Sequence, residues 1–330
     1  MGGLGLQSET GPACPPFRNG GYTWDQFVTF TAGVAGANTK GLVYYVDGSS
    51  GSDGNDGKCW ASAKATIQAA VTVAGAYGIV FVIPKAMAAG ATDPTSYAET
   101  VIIPATHECL SIIGIGNRTQ GGLPQIKKGS GSTALLTIRA AGCRIVNIGF
   151  NGASSTGGGI LLDDDASTKS AFGTEIAYCH FKNCVGSTAT NAATGGAVQW
   201  ASTGGAWQVW IHNNRFYKNV GDIVLLGTSS SVPQDVVIEN NVFSGPAADV
   251  DCNLYLAGGS GMNGVIIRNN LFTAVPALSS GTNTNFLVLT GCVGVLAGNT
   301  FASTGRTFGA AANETVPTTM LMCGNWQETA

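Results

Sequence analysis

The stretch Val236–Phe243, VVIENNVF, recurs along the chain in copies that end in Phe. Close copies are WIHNNRF, IIRNNLF and VLAGNTF, ending at Phe216, Phe272 and Phe301, and weaker ones are RIVNIGF and EIAYCHF, ending at Phe150 and Phe181. Successive Phe residues are separated by 31, 35, 27, 29 and 29 positions. A period in this range predicts stacked supersecondary units rather than one globular core.

Aligning the copies on Phe produces two informative columns. Five residues before Phe stands an aliphatic residue in every copy: Ile145, Ile176, Ile211, Ile238, Ile267 and Leu296. This column is predicted to face inward. Two residues before Phe, the last four copies carry an amide: Asn214, Asn241, Asn270 and Asn299. With strands stacked about 4.8 Å apart, these amides are predicted to bond each other and the turn backbone as an asparagine ladder. Hairpin turns, the competing interpretation, would favour Asn-Gly and shorter repeats.

The repeat, together with the stretch YYVDGSSGSDGNDGKCWASAKATIQAAV that begins at Tyr44, resembles a known family. It is similar to the right-handed parallel β-helix proteins of the pectate-lyase-like superfamily, which include many bacteriophage tailspikes and other virion proteins. The resemblance runs from about Val43 to the C-terminus. It implies an all-β, right-handed parallel β-helix (solenoid) with a short N-terminal capping α-helix. One such solenoid hosts lyases, hydrolases and inert binding surfaces, so the resemblance specifies the fold rather than an activity.

Two parts of the chain are expected, an N-terminal arm at residues 1–41 and a single β-helix domain at 42–330. The arm lacks the repeat and contains an aromatic cluster, namely Tyr22, Trp24, Phe27 and Phe30. It is predicted either to cap the first coil or to dock the chain onto a larger assembly. Residues 64–77 show the apolar spacing of a helix and end at glycines. In the resembled family a helix here plugs the first coil, and SYAET at 96–100 matches an early turn closed by an aromatic residue and Glu.

The composition excludes some partners and suggests a cellular setting. Charged residues make up 11% of the chain and the net charge is -3, which provides no electrostatic footprint for nucleic acid or anionic membrane. No run of 18 apolar residues or signal peptide is recognisable, so synthesis in a host cytoplasm is expected, with secretion after signal removal as the alternative. The nine cysteines contain no CxxC pair and are predicted to be free, mostly buried thiols.

Carboxylates near strand ends are the candidate catalytic residues. They are Asp163, Asp165, Asp222, Asp249 and Asp251. Glycosidases need two carboxylates about 5 to 10 Å apart, and strands one or two coils apart can supply this separation at about 4.8 Å per step. The competing interpretation is that Asp at a turn caps the backbone or faces solvent.

The segment QVWIHNN at 208–214 resembles the pectate-lyase segment in which an Asp and a His follow Trp-Ile. Here His212 follows Ile211 directly, and the Asp, a calcium ligand in those enzymes, is missing. The downstream Arg-x-Pro-x-x-Arg motif that carries their catalytic base is absent too, which argues against pectate lyase activity. His212, Glu239 and Arg268 occupy one column four residues before Phe and are predicted to stack as an exposed, structural charge ladder.

One loop contains a candidate calcium site. Asp47, Asp53, Asn55 and Asp56 bring oxygen ligands together in sequence, although their spacing differs from an EF-hand and these residues are ordinary turn formers. No other metal or cofactor is predicted, because no His, Cys and Asp cluster has metal-ligand spacing.

A second strand after each Phe predicts the oligomeric state. If Ile160, Ile223, Leu254 and Phe286 point inward, then Leu161, Val224, Tyr255 and Leu287 point outward. An outward apolar column marks a partner surface, so a homotrimer is predicted through it. The competing account is that segments 187–195 and 273–284 fold over the column and leave a monomer.

Two functions stay open. One is a non-enzymatic virion surface protein (a capsid decoration, spike or fibre subunit) that meets other virion proteins through its arm and binds host-surface glycans. The other is a polysaccharide depolymerase, either a tailspike or a secreted lyase or glycoside hydrolase. The incomplete catalytic set favours the first, and enzymatic activity is left undecided, leaning towards none.

Overall fold

A computed structural model describes residues 42–91, 95–116, 122–129, 131–165, 170–187, 194–200, 207–228, 231–244, 252–274, 285–303 and 314–328. The aromatic cluster of the arm, Asp249 and Asp251 lie outside these residues. The first elements are β1 (Val43–Val46), a 3-10 turn (Trp60–Ser62), α1 (Ile67–Ala74), β2 (Ile79–Val82), β3 (Val101–Ile103), β4 (Ser111–Gly114), β5 (Gln125–Lys127), β6 (Leu136–Ile138), β7 (Arg144–Val146), β8 (Gly149–Asn151), β9 (Ile160–Leu162), β10 (Glu175–Ala177), β11 (His180–Lys182) and β12 (Val198–Trp200). The remaining strands are β13 (Trp210–His212), β14 (Arg215–Tyr217), β15 (Gly221–Leu226), β16 (Val237–Glu239), β17 (Val242–Ser244), β18 (Cys252–Arg268), β19 (Leu271–Ala274), β20 (Asn285–Ala297), β21 (Thr300–Ser303), β22 (Glu314–Thr315), β23 (Met320–Cys323) and β24 (Trp326–Glu328).

The strands wind into a solenoid with three faces. Face 1 consists of β1, β2, β4, β7, β10, β13, β16, the C-terminal parts of β18 and β20, and β23. Face 2 is a separate sheet of eight strands, in the order β24, β21, β19, β17, β14, β11, β8, β5. Face 3 consists of β3, β6, β9, β12, β15, the N-terminal parts of β18 and β20, and β22. Neighbouring strands pair in parallel, so the predicted all-β parallel β-helix is confirmed.

Two columns of apolar side chains fill the interior. The aliphatic column of face 1 continues from strand to strand by direct pairing, as at Ile211, Ile238 and Ile267, and its six members are fully buried. On face 2 the six Phe residues of the repeat stack with ring centroids 4.7 to 4.9 Å apart. This distance equals the spacing of neighbouring strands. The hydrogen-bonded strand spacing therefore sets both the rise per coil and the distance between stacked rings.

A two-residue turn joins face 1 to face 2 and explains the Asn-Asn pairs. The first residue of the turn has a positive φ at Asn213, Asn240 and Asn269, between 55° and 56°. Asn and Gly tolerate this left-handed backbone better than other residues, and Gly298 takes the same place on a later coil. The first Asn of each pair therefore shapes the turn, which leaves the second free to bond its neighbours.

The second asparagines form a continuous hydrogen-bonded chain. Asn241 donates from its backbone N to Oδ1 of Asn270 (2.9 Å), and from Nδ2 to the same oxygen (3.1 Å) and to the Ile211 carbonyl (2.9 Å). The same pattern links Asn214 to Asn241, and Asn270 to Asn299. It extends to Asn325, which the Phe-based alignment missed because Gln327 stands opposite Phe301.

Helix α1 closes the N-terminal end of the solenoid. It spans Ile67–Ala74 and is shorter than the predicted 64–77, because the Thr66 side chain caps its start and Gly75 ends it with a positive φ of 66°. Its buried face packs against β1, β2 and β3. Glu99, the acidic residue of SYAET, accepts hydrogen bonds from the first backbone N–H groups of the helix, at Ile67 and Gln68.

The loop after β1 covers the outer side of face 1 at this end. Its Trp60 ring lies 4.6 Å from the Tyr45 ring, and Ala63 joins the same cluster. The loop also corrects the cysteine prediction, because Cys59 is disulfide-bonded while seven other described cysteines are free. Cys59 lies on this surface loop, whereas the buried thiols lie within or beside strands. In the described residues, no helix has the length and apolar character needed to cross a membrane.

The expected trimer surface on face 3 is corrected at two positions. Leu287 pairs with Leu254 and is fully buried in the interior, so Val288, not Leu287, stands beside Tyr255 on the outer side. No Phe anchors the alignment on this face, and a one-residue shift in a strand exchanges its two sides. Val224 does point outward but is already buried within a single chain, whereas Leu161 and Tyr255 are half-buried.

Candidate functional site

The predicted catalytic aspartates have structural partners in the solenoid. Asp163 accepts a hydrogen bond from Nε of Arg139 at 2.9 Å. Asp222 is buried and accepts from Nδ2 of Asn219 at 2.9 Å and Nδ2 of Asn253 at 2.6 Å. Asp165, three residues after the end of β9, is exposed.

Asp163 and Asp222 do not form a carboxylate pair. Asp222 precedes Ile223, which pairs through β12 with Ile160, whereas Asp163 follows the end of β9. Their backbones are therefore offset by four residues along the strand, about 13 Å, and by two strand spacings, about 9.6 Å. The resulting separation exceeds the roughly 10 Å upper limit for an acid and base acting on one glycosidic bond.

The proposed calcium ligands are engaged in turn formation. Asp47 accepts from the backbone N of Ser49, and Asp53 from the backbone N of Thr66, at 2.8 and 2.9 Å. Asp56 accepts from the Lys58 backbone and Asn55 donates to the Ala63 carbonyl. Within the described ranges, no group of three or more His, Cys, Asp or Glu is placed to hold a metal. The contacts match the turn-forming roles of these residues.

Face 1 carries a cluster of charged and aromatic side chains on its outer side, here called the polar cluster. Its members are Arg144, Glu175, Trp210, His212, Glu239 and Arg268. They come from five successive strands, with Arg144, Glu175 and Trp210 in one register column and His212, Glu239 and Arg268 in the next outward column. Residues two apart on a strand point to the same side, so both columns face outward together.

Ion pairs bind the polar cluster together across the coils. Arg144 Nε lies 2.5 Å from Glu175, and Arg268 Nε lies 2.5 Å from Glu239. His212 Nε2 lies 3.0 Å from the other oxygen of Glu175. The predicted exposed ladder is therefore wrong in one respect, since His212 and Glu239 are buried. The reason is Trp210, whose ring stacks on the His212 ring with centroids 4.0 Å apart.

Both carboxylates of the polar cluster are held ionised. Burial raises the pKa of Glu175, but hydrogen bonds from His212 and Arg144 and the Arg144 charge outweigh it and lower the pKa to about 2. Burial also raises the pKa of Glu239, but hydrogen bonds from Arg268 and Trp210 outweigh this effect. The pKa of Glu239 therefore lies below its usual value. A glycosidase acid needs a raised pKa to stay protonated, so this pair does not have the electrostatics of an acid and base.

We expect Glu175→Gln to destabilise the protein in a pH-dependent way. The folded pKa of Glu175 lies below the ordinary 4.5, so the carboxylate stabilises the fold above about pH 4.5 and loses this effect as the pH falls towards 2. The difference in free energy of unfolding should be about 1–2 kcal/mol at neutral pH, reduced by partial exposure. Denaturant titrations of parent and variant between pH 7 and pH 2 measure it.

Arg144→Gln serves as the partner variant for this experiment. It removes one of the two groups that hold the Glu175 charge, so its destabilisation should be smaller and should vanish over the same pH window. A Glu175→Gln difference that stays constant down to pH 2 would show that the carboxylate contributes through packing alone.

Trp210 of the polar cluster, together with Phe172 and Trp207 from the turns just before β10 and β13, makes up a set of exposed aromatic residues here called the aromatic patch. The three side chains are 38%, 45% and 42% exposed, and a hydrogen bond from Gly173 N to the Trp207 carbonyl (2.7 Å) places Phe172 one coil from Trp207. Each indole N–H is bound to the protein, Trp207 Nε1 to the Val232 carbonyl (2.9 Å) and Trp210 Nε1 to Glu239 (2.8 Å). The rings are thus fixed in orientation while much of their apolar surface faces water.

Sequence reasoning missed most of this site. Arg144 and Glu175 stand six residues before Phe, one position earlier than the inward column, so extending the alignment by one residue would have revealed them. Trp210 stands in the same column, six residues before Phe216. Phe172 and Trp207 each stand nine residues before a Phe of the repeat, but the other copies have no aromatic residue in that column, so the signal there is weak.

Comparisons with known proteins yield similarity of fold. No protein-family profile and no curated protein sequence matches the chain. Among solved structures, pectin methylesterase from Aspergillus niger has a TM-score of 0.45 and 14% identity, with coverage of 88% of this chain and 86% of that one. Pectin methylesterase from carrot has a TM-score of 0.41 and 13% identity, with coverage of 86% and 89%. ORF18 of Geobacillus virus E2 has a TM-score of 0.40 and 11% identity over 76% of this chain, which spans about half (53%) of that protein.

Proposed function

We propose that the protein is a polysaccharide-binding β-helix without catalytic activity. The observation that carries the proposal is the pair of exposed indoles whose N–H groups are tied to the protein. Aromatic rings stack on the apolar faces of sugar rings, and rings that are already fixed lose little conformational entropy on binding. Trp207 and Trp210 therefore have the properties of preformed stacking platforms.

The surroundings of the indoles support a binding role. An exposed apolar patch with a polar rim is typical of a recognition surface. Here the rim includes Glu175, whose carboxylate oxygens accept hydrogen bonds and whose side chain is 18% exposed, and Arg268, whose side chain is 52% exposed, and both are oriented by ion pairs. Hydroxyl groups of a sugar are suitable donors to such oxygens. The site thus combines ring stacking with oriented acceptors.

We expect Trp207→Ala and Trp210→Ala each to weaken polysaccharide binding about tenfold, since truncating an aromatic anchor typically costs more than 1 kcal/mol. Affinity electrophoresis against a panel of soluble polysaccharides measures the change. Trp326→Ala is the matched control, because Trp326 is 73% exposed on β24, away from the patch, and should bind like the parent.

The depolymerase alternative is tested with the same panel. Asp163 and Asp222 are too far apart and Glu175 and Glu239 are held ionised, so the purified protein should release no reducing ends or unsaturated products from a polysaccharide it binds. Steady product formation would overturn the non-catalytic part of the proposal. Equal binding losses in Trp326→Ala and in the patch variants would argue against the patch as the site.

We further propose that the protein is displayed on the surface of a virus particle. Residues 1–41 would contact other virion proteins, and the chain would associate as a homotrimer. The sparse charge, the net charge of -3 and the incomplete catalytic set support a displayed binding surface. On face 1, an outward apolar row continues from Val237 through Ile266 and Val295 to Leu321. This row replaces the Leu287 column as the trimer surface to be tested, by light scattering of the purified chain.

A further inference from the structure

We infer that the ligand of the polar cluster and aromatic patch is a neutral polysaccharide, recognised through its hydroxyl groups and ring faces rather than through carboxylate or sulfate groups. The inference rests on the proposed function and specifies its substrate class. It is drawn from how the charges of the site are paired.

The formal charges of the polar cluster cancel. Arg144 is paired with Glu175 and Arg268 with Glu239, which gives two positive and two negative groups. His212 Nε2 lies 3.0 Å from Glu175, and its Nδ1 lies 2.9 Å from Nδ2 of Asn213. The two arginine charges are thus matched by two carboxylates, and His212 lies against one of them, so the site presents no unpaired positive charge to attract an acidic polymer.

The ionised carboxylates also oppose an anion at close range. Glu175 and Glu239 both stay charged at neutral pH, and a uronate or sulfate bound beside either would lie against a like charge. Arg144 (16% exposed) and Glu175 (18% exposed) are about equally accessible, so an anion that reached the arginine would also meet the carboxylate. Hydroxyl groups meet no such repulsion, because they can donate to the Glu175 carboxylate.

Arg268 is the residue that favours the alternative interpretation, in which the ligand is an acidic polysaccharide. Its side chain is 52% exposed and only its Nε is bound to Glu239, so its terminal nitrogens are open to a ligand carboxylate. The position of Arg268 nevertheless places any such ligand within reach of Glu239, which is why we favour a neutral ligand. The two interpretations differ in salt dependence, since binding through an exposed charge is screened whereas stacking and neutral hydrogen bonds are not.

The test is affinity electrophoresis of the full chain against neutral polymers (dextran, β-glucan, galactomannan) and acidic polymers (polygalacturonate, alginate, hyaluronan). Each is run at about 0.01 M and about 1 M salt, between which the Debye length falls from about 30 Å to about 3 Å. We expect retardation by a neutral polymer, with an affinity that changes less than about twofold with salt and falls about tenfold in Trp207→Ala. In Arg268→Gln the loss of binding should be smaller than in Trp207→Ala and should not depend on salt, and thermal melting checks that each variant is folded.

The outcomes separate the inference from the proposed function. Retardation only by acidic polymers, weakened by salt and lost in Arg268→Gln, would overturn the neutral-ligand inference while leaving the proposed polysaccharide-binding function standing. Binding that is as strong in Trp207→Ala and in Trp210→Ala as in the parent would place the ligand elsewhere and overturn the inference at this site. Absence of retardation by every polymer would overturn the proposed function and the inference with it.

Discussion

Replacing Ile238 by Asp is expected to abolish folding of the β-helix. Ile238 is fully buried between Ile211 and Ile267, so the new carboxylate would have no water and no cation beside it. Losing the aliphatic side chain alone costs about 2–5 kcal/mol, and burying an unpaired charge adds several more. The sum is comparable with the whole stability of an ordinary domain, about 5–15 kcal/mol. Because each coil packs against its two neighbours, the same effect is expected for an inward residue of any central coil.

Asn240→Asp is the matched control for this variant. It introduces the same charge two residues away, on an exposed side chain whose φ of 55° is one that Asp tolerates. Circular dichroism and thermal melting should show a folded, cooperative Asn240→Asp and an unfolded Ile238→Asp. If Ile238→Asp melted with the parent, the aliphatic column would not be the interior of the solenoid.

The fold could be predicted because its periodic signals repeat on two of the three faces. Phe of the repeat anchors face 2, and the inward aliphatic residue five positions earlier anchors face 1, so register and interior follow from one alignment. Face 3 has no such anchor. Its strands follow loops of varying length, and the shift at Leu287 arose because nothing in the sequence fixed the register there.

The candidate site was harder to predict because its residues meet only after the coils stack. Glu175 and Trp210 are 35 positions apart and become register partners through β10 and β13. Asp163 and Asp222, by contrast, look equivalent in sequence yet lie at opposite ends of their strands. The indole of Trp207 is held in place by a hydrogen bond to the Val232 carbonyl, and Val232 lies outside the aligned repeat. Columns of like residues reveal the scaffold, whereas the site depends on contacts between unlike ones.

The asparagine ladder is the second feature whose removal should have a large effect. We expect Asn270→Ala to lower the free energy of unfolding by about 1–3 kcal/mol, the usual cost of leaving buried polar groups unpaired. Asn270 Oδ1 accepts from the backbone N and the Nδ2 of Asn241, and its Nδ2 donates to the Ile238 carbonyl at 3.0 Å. These groups are buried, so water cannot replace the amide. Asn241→Ala should behave alike, because its contacts repeat the pattern one coil earlier.

Two controls show whether burial in the ladder, rather than the loss of any asparagine, causes the effect. Asn269→Gly alters the exposed neighbour of Asn270 and keeps its φ of 55°, which Gly adopts freely, so it should be nearly neutral. Asn325→Ala removes the last, half-buried member and should cost less than Asn270→Ala, because water reaches part of the groups left behind. Chemical denaturation midpoints measure all four variants. Midpoints for Asn241→Ala and Asn270→Ala equal to that of Asn269→Gly would mean that the ladder bonds add nothing beyond what the stacked apolar columns already supply.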